Sequence, residues 1–98
     1  SIWDETMQAT ADLQFIPMGN GVSVRKEIRH VVDMIEAKGF ITHSHASGTN
    51  IEGELHEILE MVETIHEQLH SQGTVRVLSN LKLETRTDKK PTLAGKTL

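Results

Sequence analysis

The sequence predicts an α+β fold: a ferredoxin-like βαββαβ sandwich, in which a four-stranded antiparallel sheet carries two helices on one face. The first observation behind this prediction is the spacing of apolar residues. It alternates between period two, typical of strands, and steps of three and four, typical of helices. The second is the order of these patterns along the chain: strand, helix, strand, strand, helix, strand. Right-handed crossovers then place both helices on the same side of the sheet.

The first strand and the first helix are predicted in the N-terminal part of the chain. Apolar and polar residues alternate over residues 7–15, which indicates a half-buried strand that ends at Pro17 and a turn at residues 19–21. The following helix has Ser23 as its predicted N-cap and Gly39 as its predicted stop. Its buried stripe recurs at three- and four-residue steps: Val24, Ile28, Val31, Val32 and Ile35.

Two glycines, Gly48 and Gly53, organise the centre of the chain. Residues 40–46 predict a second strand and residues 49–51 a short third one, joined by a sharp hairpin that glycine favours. A second helix is predicted up to Gly73, with the apolar stripe Leu55, Ile58, Leu59, Val62, Ile65 and Leu69. Alternation over residues 75–84 predicts the fourth strand.

One domain is predicted at residues 7–90, with a flexible leader at residues 1–6 and a short polar tail at residues 91–98. The net charge of −4 argues against a nucleic-acid partner, and the absence of cysteine excludes disulfides and thiolate metal sites. One tryptophan, two phenylalanines and no tyrosine leave little for base stacking. No apolar run approaches the roughly 20 residues that span a bilayer. A cytoplasmic protein without a membrane partner is therefore expected.

The sheet face away from the helices is predicted to be uncovered and chemically mixed. It carries the polar residues Asp12, Gln14, Arg76, Asn80 and Lys82, with Ile16 and Leu78 among them. Such a face suits a partner or a ligand, and Gln14 and Leu78 are expected at a subunit interface. The alternative is an ordinary solvated face, common in antiparallel sheets. An RNA-binding module has the same element order but presents aromatic residues on its central strands. Here the corresponding strands offer residues 49–51 and the residues around Gln14, and the chain is acidic, so this alternative is rejected.

The segment from His66 to His70 matches H-E-x-x-H, the zinc-protease helix in which two histidines bind the metal and the glutamate is the base. The longer form of the motif requires a third histidine where this chain has Arg76, which cannot bind a cation. His66 also falls inside the apolar stripe of its helix. A partly buried, hydrogen-bonded His66 is therefore favoured, and neither a metal site nor a catalytic residue is predicted. His43 and His45 share one strand face, where packing is favoured over metal binding.

Three spaced motifs nevertheless resemble a known family. They are Ala-Asp-Leu-Gln-Phe-Ile-Pro-Met-Gly at residues 11–19, Gly-Thr-Asn-Ile-Glu-Gly at residues 48–53, and a C-terminal set. That set comprises Arg76-Val77, Lys82-Leu83-Glu84 and Arg86-Thr87-Asp88-Lys89. Together they resemble the small thiamine-binding proteins, long catalogued as uncharacterised, over about residues 9–90. The resemblance implies a ferredoxin-like subunit that associates through its sheet into homodimers or homotetramers. It also implies binding of thiamine, or of its hydroxymethylpyrimidine part, without turnover and with no other cofactor.

The resemblance also suggests site residues. Thr49 and Glu52 fall in the central signature, and Arg76, Arg86 and Asp88 fall in the C-terminal motifs. Arg76 is expected at the ligand, and Arg86 and Asp88 at the subunit interface; alternatively, all three form an inter-subunit salt bridge. Members of the family commonly continue as a helix after the last motif, whereas the proline and glycine of this tail predict a short or disordered end.

The chemistry of an aminopyrimidine fits a pocket with a few fixed polar groups in an apolar wall. Glu52 could accept a hydrogen bond from the amino group or balance a cationic thiazolium. Ser47, Thr49 or Asn80 could bond the ring nitrogens. The structural alternative is that Glu52 and Thr49 order the hairpin and cap the second helix.

Three functional hypotheses follow. The leading one is a non-enzymatic oligomeric binding protein for thiamine or its hydroxymethylpyrimidine part. The second is a structural or regulatory assembly module without a small ligand. The third and least favoured is a zinc-dependent hydrolase that acts through His66, Glu67 and His70.

Overall fold

The computed structural model describes residues 6–18 and 25–96. Its strands are β1 (Gln8–Met18), β2 (Ile41–His45), β3 (Gly48–Glu54) and β4 (Arg76–Glu84). Its α-helices are α1 (Arg25–Ala37) and α2 (Leu55–Ser71), and a short 3₁₀ helix follows at Ala94–Lys96. All pairings are antiparallel, and the strand order is β2-β3-β1-β4. The predicted βαββαβ fold is therefore confirmed. The predicted turn at residues 19–21, the Ser23 cap and most of the leader lie outside the described residues.

The core lies between the sheet and the two helices. Alternate residues of β1 contribute Ala9, Ala11, Leu13 and Phe15 to it; β3 contributes Ile51, α1 contributes Val31 and Ile35, and α2 contributes Ile58, Met61, Ile65 and Leu69. The stripe predicted for α2 is wrong at one position. Leu59 is 45% exposed, and Met61 is buried in its place at 1%. Met61 lies three residues after Ile58 and four before Ile65, so it continues the buried row.

β1 runs past Pro17, where the sequence predicts its end. After Leu13 the strand has lost its β3 partner and pairs only with β4, up to Met18 opposite Arg76. Pro17 thus lies on a stretch with one neighbouring strand, where a missing backbone N–H is tolerated. This extension lengthens the uncovered face of the sheet beyond β3.

Local capping fixes the ends of the helices. The side chain of Glu54 is the N-cap of α2 and accepts a hydrogen bond from Glu57 N–H at 2.8 Å, so this cap is not formed by Glu52. Gly39 and Gly73 have positive φ angles of 79° and 100° just after the helices. Both predicted glycine stops are confirmed.

The tail packs against the sheet. Pro91 and Leu93 are buried, and the backbone N–H of Leu93 donates to Glu52 Oε1 at 2.8 Å. Since Glu52 lies opposite Thr10 in the sheet, the tail covers one end of the face away from the helices. The described part of the tail is therefore packed on the sheet through Pro91 and Leu93. No helix within residues 6–18 and 25–96 is long and apolar enough to cross a bilayer.

Candidate functional site

The strand registers divide the predicted site residues between the two faces of the sheet. Thr49 lies opposite Leu13, which is 2% exposed in the core, so Thr49 faces the helices. Glu52 lies three residues further along the same strand and therefore faces the other way. The two residues of the central signature that the family resemblance suggests as ligand contacts are thus not brought together.

We call the side away from the helices the uncovered face; residues from all four strands form rows across it. One row contains Ile41, Glu52, Thr10 and Glu84, and the next contains His43, Asn50, Asp12 and Lys82. Thr10 and Glu84 of the first row and all four residues of the second row line a cavity of about 420 Å³, together with Leu93 of the tail. Asp12, Lys82 and Glu84 supply charged side chains to this cavity, and the tail occupies Glu52.

The remaining predicted residues of the uncovered face lie further along β1 and β4. Asn80 Nδ2 donates to Gln14 Oε1 at 3.2 Å, so a predicted ligand residue and a predicted interface residue pair across the strands. Arg76 lies opposite Met18, eight positions along β1 from the partner of Glu52. At about 3.4 Å per residue this separates Arg76 from Glu52 by roughly 27 Å. Arg76 and Glu52 cannot contact one small ligand within one chain.

Arg86 and Asp88 pair with each other just beyond β4. The Arg86 guanidinium donates through Nε and Nη2 to the two carboxylate oxygens of Asp88 in a bidentate pair. This pair lowers the pKa of Asp88 and raises that of Arg86. Within one chain, Arg86 and Asp88 satisfy each other and lie at the opposite end of β4 from Arg76.

A second and larger cavity lies on the other side of the sheet, between α1 and the β2–β3 hairpin. We call it the helix-side cavity; its volume is about 550 Å³, within the range of small-molecule sites. Its apolar wall is formed by Leu13, Phe15, Ile28, Val31, Val32 and Ile35. Thr49, Ser44, Ser47 and Arg29 supply polar groups. The cavity therefore combines an apolar surface with a few polar groups.

Thr49 contributes a nearly buried hydroxyl to the helix-side cavity. The residue is 7% exposed, and its side chain makes no hydrogen bond to any other residue in the described ranges. A ligand that hydrogen-bonds to this hydroxyl would satisfy a polar group that is nearly buried, and this favours binding. Its neighbour across the hairpin is Ser44, which lies on the same face. Next to Thr49, a Cβ on Gly48 would lie 2.5 Å from the Leu13 carbonyl oxygen, so only glycine allows β3 to approach β1 here.

Ser47 lies at the tip of the hairpin, between the two faces. Its backbone N–H donates to His45 Nδ1 at 3.2 Å, which leaves the proton on Nε2 to donate to Asp12 Oδ1 at 2.9 Å. His45 is thereby fixed against β1, and it anchors the hairpin that forms one wall of the helix-side cavity. The predicted shared face of His43 and His45 is confirmed by their pairing with Asn50 and Gly48.

The histidines of the H-E-x-x-H segment are engaged in the fold. His66 Nε2 shares a hydrogen bond of 2.8 Å with Ser79 Oγ, and its ring packs on Phe15 at a centroid distance of 5.7 Å. Burial, followed by the charge of His70, lowers the pKa of His66. His70 Nδ1 donates to the Thr74 carbonyl at 2.8 Å. The prediction of a partly buried, hydrogen-bonded His66 is confirmed. Among residues 6–18 and 25–96, no three potential ligand side chains are grouped to hold a metal ion.

Sequence reasoning missed two polar residues of the helix-side cavity. Ser44 is signalled by the hairpin itself, because a two-residue turn at residues 46–47 places it opposite Thr49. Arg29 gives no such signal. It is an exposed residue of α1 beside the buried stripe, and only the packing of α1 over the hairpin brings it to the cavity.

Comparison with known proteins gives a consistent family. The sequence profile of the thiamine-binding protein family matches residues 11–98. The chain is 35% identical to a UPF0045 protein of Synechocystis over 92 residues, covering 94% of this chain and 76% of that protein. The crystal structure of a hypothetical protein of Methanocaldococcus jannaschii superposes with a TM-score of 0.83 at 31% identity, covering 92% of each chain. A candidate thiamine biosynthesis/salvage protein of Thermotoga maritima has the same fold, with a TM-score of 0.79 at 21% identity, covering 91% of this chain and 94% of that one.

Proposed function

Because this chain belongs to the thiamine-binding protein family, we propose that it binds thiamine, or the hydroxymethylpyrimidine part of thiamine, in the helix-side cavity without turning it over. The observation that supports this choice of cavity is the Thr49 hydroxyl. It has no hydrogen-bond partner among the described residues, and it lines a mainly apolar cavity. A flat aromatic ring suits the apolar wall, and a ring nitrogen suits the hydroxyl.

The two cavities differ in what they offer such a ring. The cavity on the uncovered face is lined by Asp12, Lys82, Glu84 and His43, so a methylated pyrimidine would displace water from charged groups there at a cost. In the helix-side cavity the ring would instead cover Leu13, Phe15 and residues of α1. Burial of apolar ring surface there contributes about 25 cal/mol per Å² to binding.

The proposal assigns separate roles to the residues of the central signature. Thr49 donates to a pyrimidine ring nitrogen, and the neighbouring Ser44 lies with Ser47 where the exocyclic substituents leave the cavity. Glu52 holds the tail on the uncovered face through the N–H of Leu93 and does not touch the ligand. Gly48 allows the close packing of β3 on β1 that positions Thr49.

Titration calorimetry of the purified protein with thiamine and with hydroxymethylpyrimidine tests the proposal. We expect saturable binding of one ligand per chain, with a negative heat-capacity change because apolar surface is buried. Absence of heat at millimolar ligand, in a sample shown to be folded by circular dichroism, contradicts it. Unchanged thiamine concentrations over hours of incubation are expected for a protein that does not turn its ligand over.

We also propose that the chain forms a homo-oligomer through the part of the uncovered face that the tail leaves open. Ile16, Met18 and Leu78 are each 37–39% exposed and adjoin one another across β1 and β4. The Gln14–Asn80 pair borders them. An exposed apolar group with a polar border is typical of a protein interface.

A further inference from the structure

The helix-side cavity has two chemically different ends. Its inner wall is formed by buried core residues such as Leu13, Val31 and Ile35. Its mouth is formed by exposed residues: Arg29 of α1 on one side, and Ser44 and Ser47 of the hairpin on the other. A ligand whose ring occupies the inner wall therefore extends its other end toward a guanidinium and two hydroxyls.

Arg29 is available for a ligand at this mouth. Its only ion pair in the described ranges is with Asp33, one turn further along α1, at 3.5 Å between Nε and Oδ1. The two side chains are 77% and 59% exposed, so solvent screens the pair, and such pairs contribute little to stability. The pair leaves the terminal guanidinium nitrogens free to donate to another anion.

The two serines at the mouth complete a donor set. Neither hydroxyl hydrogen-bonds to another of the described residues, since the bond that Ser47 makes is through its backbone N–H to His45. A guanidinium with nearby hydroxyl donors is suited to a phosphate group, whose oxygens accept several hydrogen bonds and pair with arginine in bidentate geometry. The apolar inner wall and the charged mouth together match a molecule with an aromatic ring at one end and a phosphate ester at the other.

We propose that the preferred ligand of this cavity is a phosphate monoester of thiamine or of its hydroxymethylpyrimidine part, and that Arg29 is the residue that selects it. This inference rests on the proposed function and deepens it. Asp33 opposes the selection because its carboxylate shares the guanidinium and repels the phosphate. Arg29 is a specificity residue: the ring occupies the inner wall whether or not a phosphate is attached.

Calorimetric titration with thiamine and with thiamine monophosphate, each at low and moderate salt, tests the inference. We expect the phosphate ester to bind about tenfold or more tightly than thiamine, as a charge-assisted bidentate contact warrants. Arg29→Gln should reduce this preference to about twofold, by weakening binding of the ester more than binding of thiamine. Asp33→Asn should increase the preference, because it removes the competing carboxylate. Added salt should weaken binding of the ester more than binding of thiamine.

The matched control is Lys26→Gln, which removes one positive charge from an exposed position of the same helix that does not line the cavity. It should leave the preference intact. Equal affinities for thiamine and its phosphate overturn the inference while leaving the proposed function standing. An equal loss of affinity for both ligands in Arg29→Gln also overturns the inference, because it indicates a structural role for Arg29. Absence of binding by either ligand overturns the proposed function and the inference with it.

Discussion

At the scale of single residues, two buried threonines form a natural comparison. Thr49 is 7% exposed on the helix side, and Thr10 is 4% exposed on the uncovered face. Neither side chain hydrogen-bonds to another described residue, and each lines one of the two cavities. The two threonines are thus matched in burial and in hydrogen bonding, and they differ in the cavity that they line.

This match gives the first prediction. Thr49→Val should weaken thiamine binding about tenfold, because the donor to the ring nitrogen is lost while the side-chain shape is kept. The free energy of unfolding should stay the same or rise, since no protein hydrogen bond is removed. Titration calorimetry and urea denaturation measure the two quantities. Thr10→Val is the control and should leave binding unchanged. The reverse pattern, in which only Thr10→Val weakens binding, would place the ligand on the uncovered face.

A second prediction concerns His66, whose pKa is lowered by burial and then by the charge of His70. A histidine with a lowered pKa takes up fewer protons in the folded than in the unfolded state, so it costs stability once the pH falls below its ordinary value of 6.5. Between pH 7.5 and 5.5, His66→Gln should therefore lose less stability than the native chain. Urea denaturation at both pH values measures this difference. Equal losses would show that His66 does not contribute to the pH dependence, and His56→Gln, at an exposed position, is the control.

At the scale of elements, the alternation of apolar residues was enough to predict the fold. Met7, Ala9 and Leu13 alternate in the first strand, and the pattern changes to helical steps after the turn, so the order of elements follows from side-chain spacing alone. Period two also places Thr49 and Glu52 on opposite faces, as the register confirms. The expectation that both residues contact one ligand rests on their shared motif. A motif does not show on which face of the sheet a side chain lies.

The contact between the tail and the sheet could not be predicted in this way. Pro91 and Leu93 have no periodic neighbours, and their position depends on a hydrogen bond to Glu52, 41 residues earlier in the chain. The same limit applies to Arg29, which reaches the helix-side cavity only through the packing of α1 on the hairpin. Long-range docking of an irregular segment or of a helix end leaves no local pattern in the sequence.

The third prediction belongs to this tail. Leu93 is 8% exposed, so Leu93→Ala should lower the free energy of unfolding by about 1–3 kcal/mol through lost apolar burial. It should leave thiamine binding unchanged, because the tail lies on the face opposite the helix-side cavity. Leu59→Ala serves as the control, since Leu59 is 45% exposed and its truncation should cost much less. A Leu93→Ala protein as stable as the native chain would show that the tail adds little to the fold.

At the scale of the whole molecule, the sheet separates the two proposed sites, for the ligand and for a second subunit, which the sequence alone assigned to one face. The helices and the hairpin enclose an apolar cavity on one side. The other side is divided between the tail at one end and the exposed apolar residues of β1 and β4 at the other. If the two proposals hold, substitutions on one side of the sheet should alter ligand binding without altering assembly, and the reverse, which distinguishes a binding protein from a pure assembly module.

The fourth prediction uses this independence. The native chain should be a dimer or tetramer by size-exclusion chromatography with light scattering, and Ile16→Glu combined with Leu78→Glu should make it a monomer. These residues lie directly opposite each other in the β1–β4 pairing, so the two charges fall in the centre of the proposed interface. Buried in a dimer without partners, they would cost several kcal/mol. Val75→Glu, at a position that is 74% exposed and outside β4, should leave the assembly unchanged.

The double variant should still bind thiamine with native affinity, because its substitutions lie on the side of the sheet opposite the helix-side cavity. Loss of binding together with assembly would mean that the site requires a neighbouring subunit, and it would move the ligand to the uncovered face. A native chain that is already monomeric would contradict the proposed interface. It would leave the exposed residues Ile16, Met18 and Leu78 in contact with solvent, at an apolar surface no larger than many monomers tolerate. Assembly state and affinity, measured on the same samples, therefore decide whether the two faces act separately.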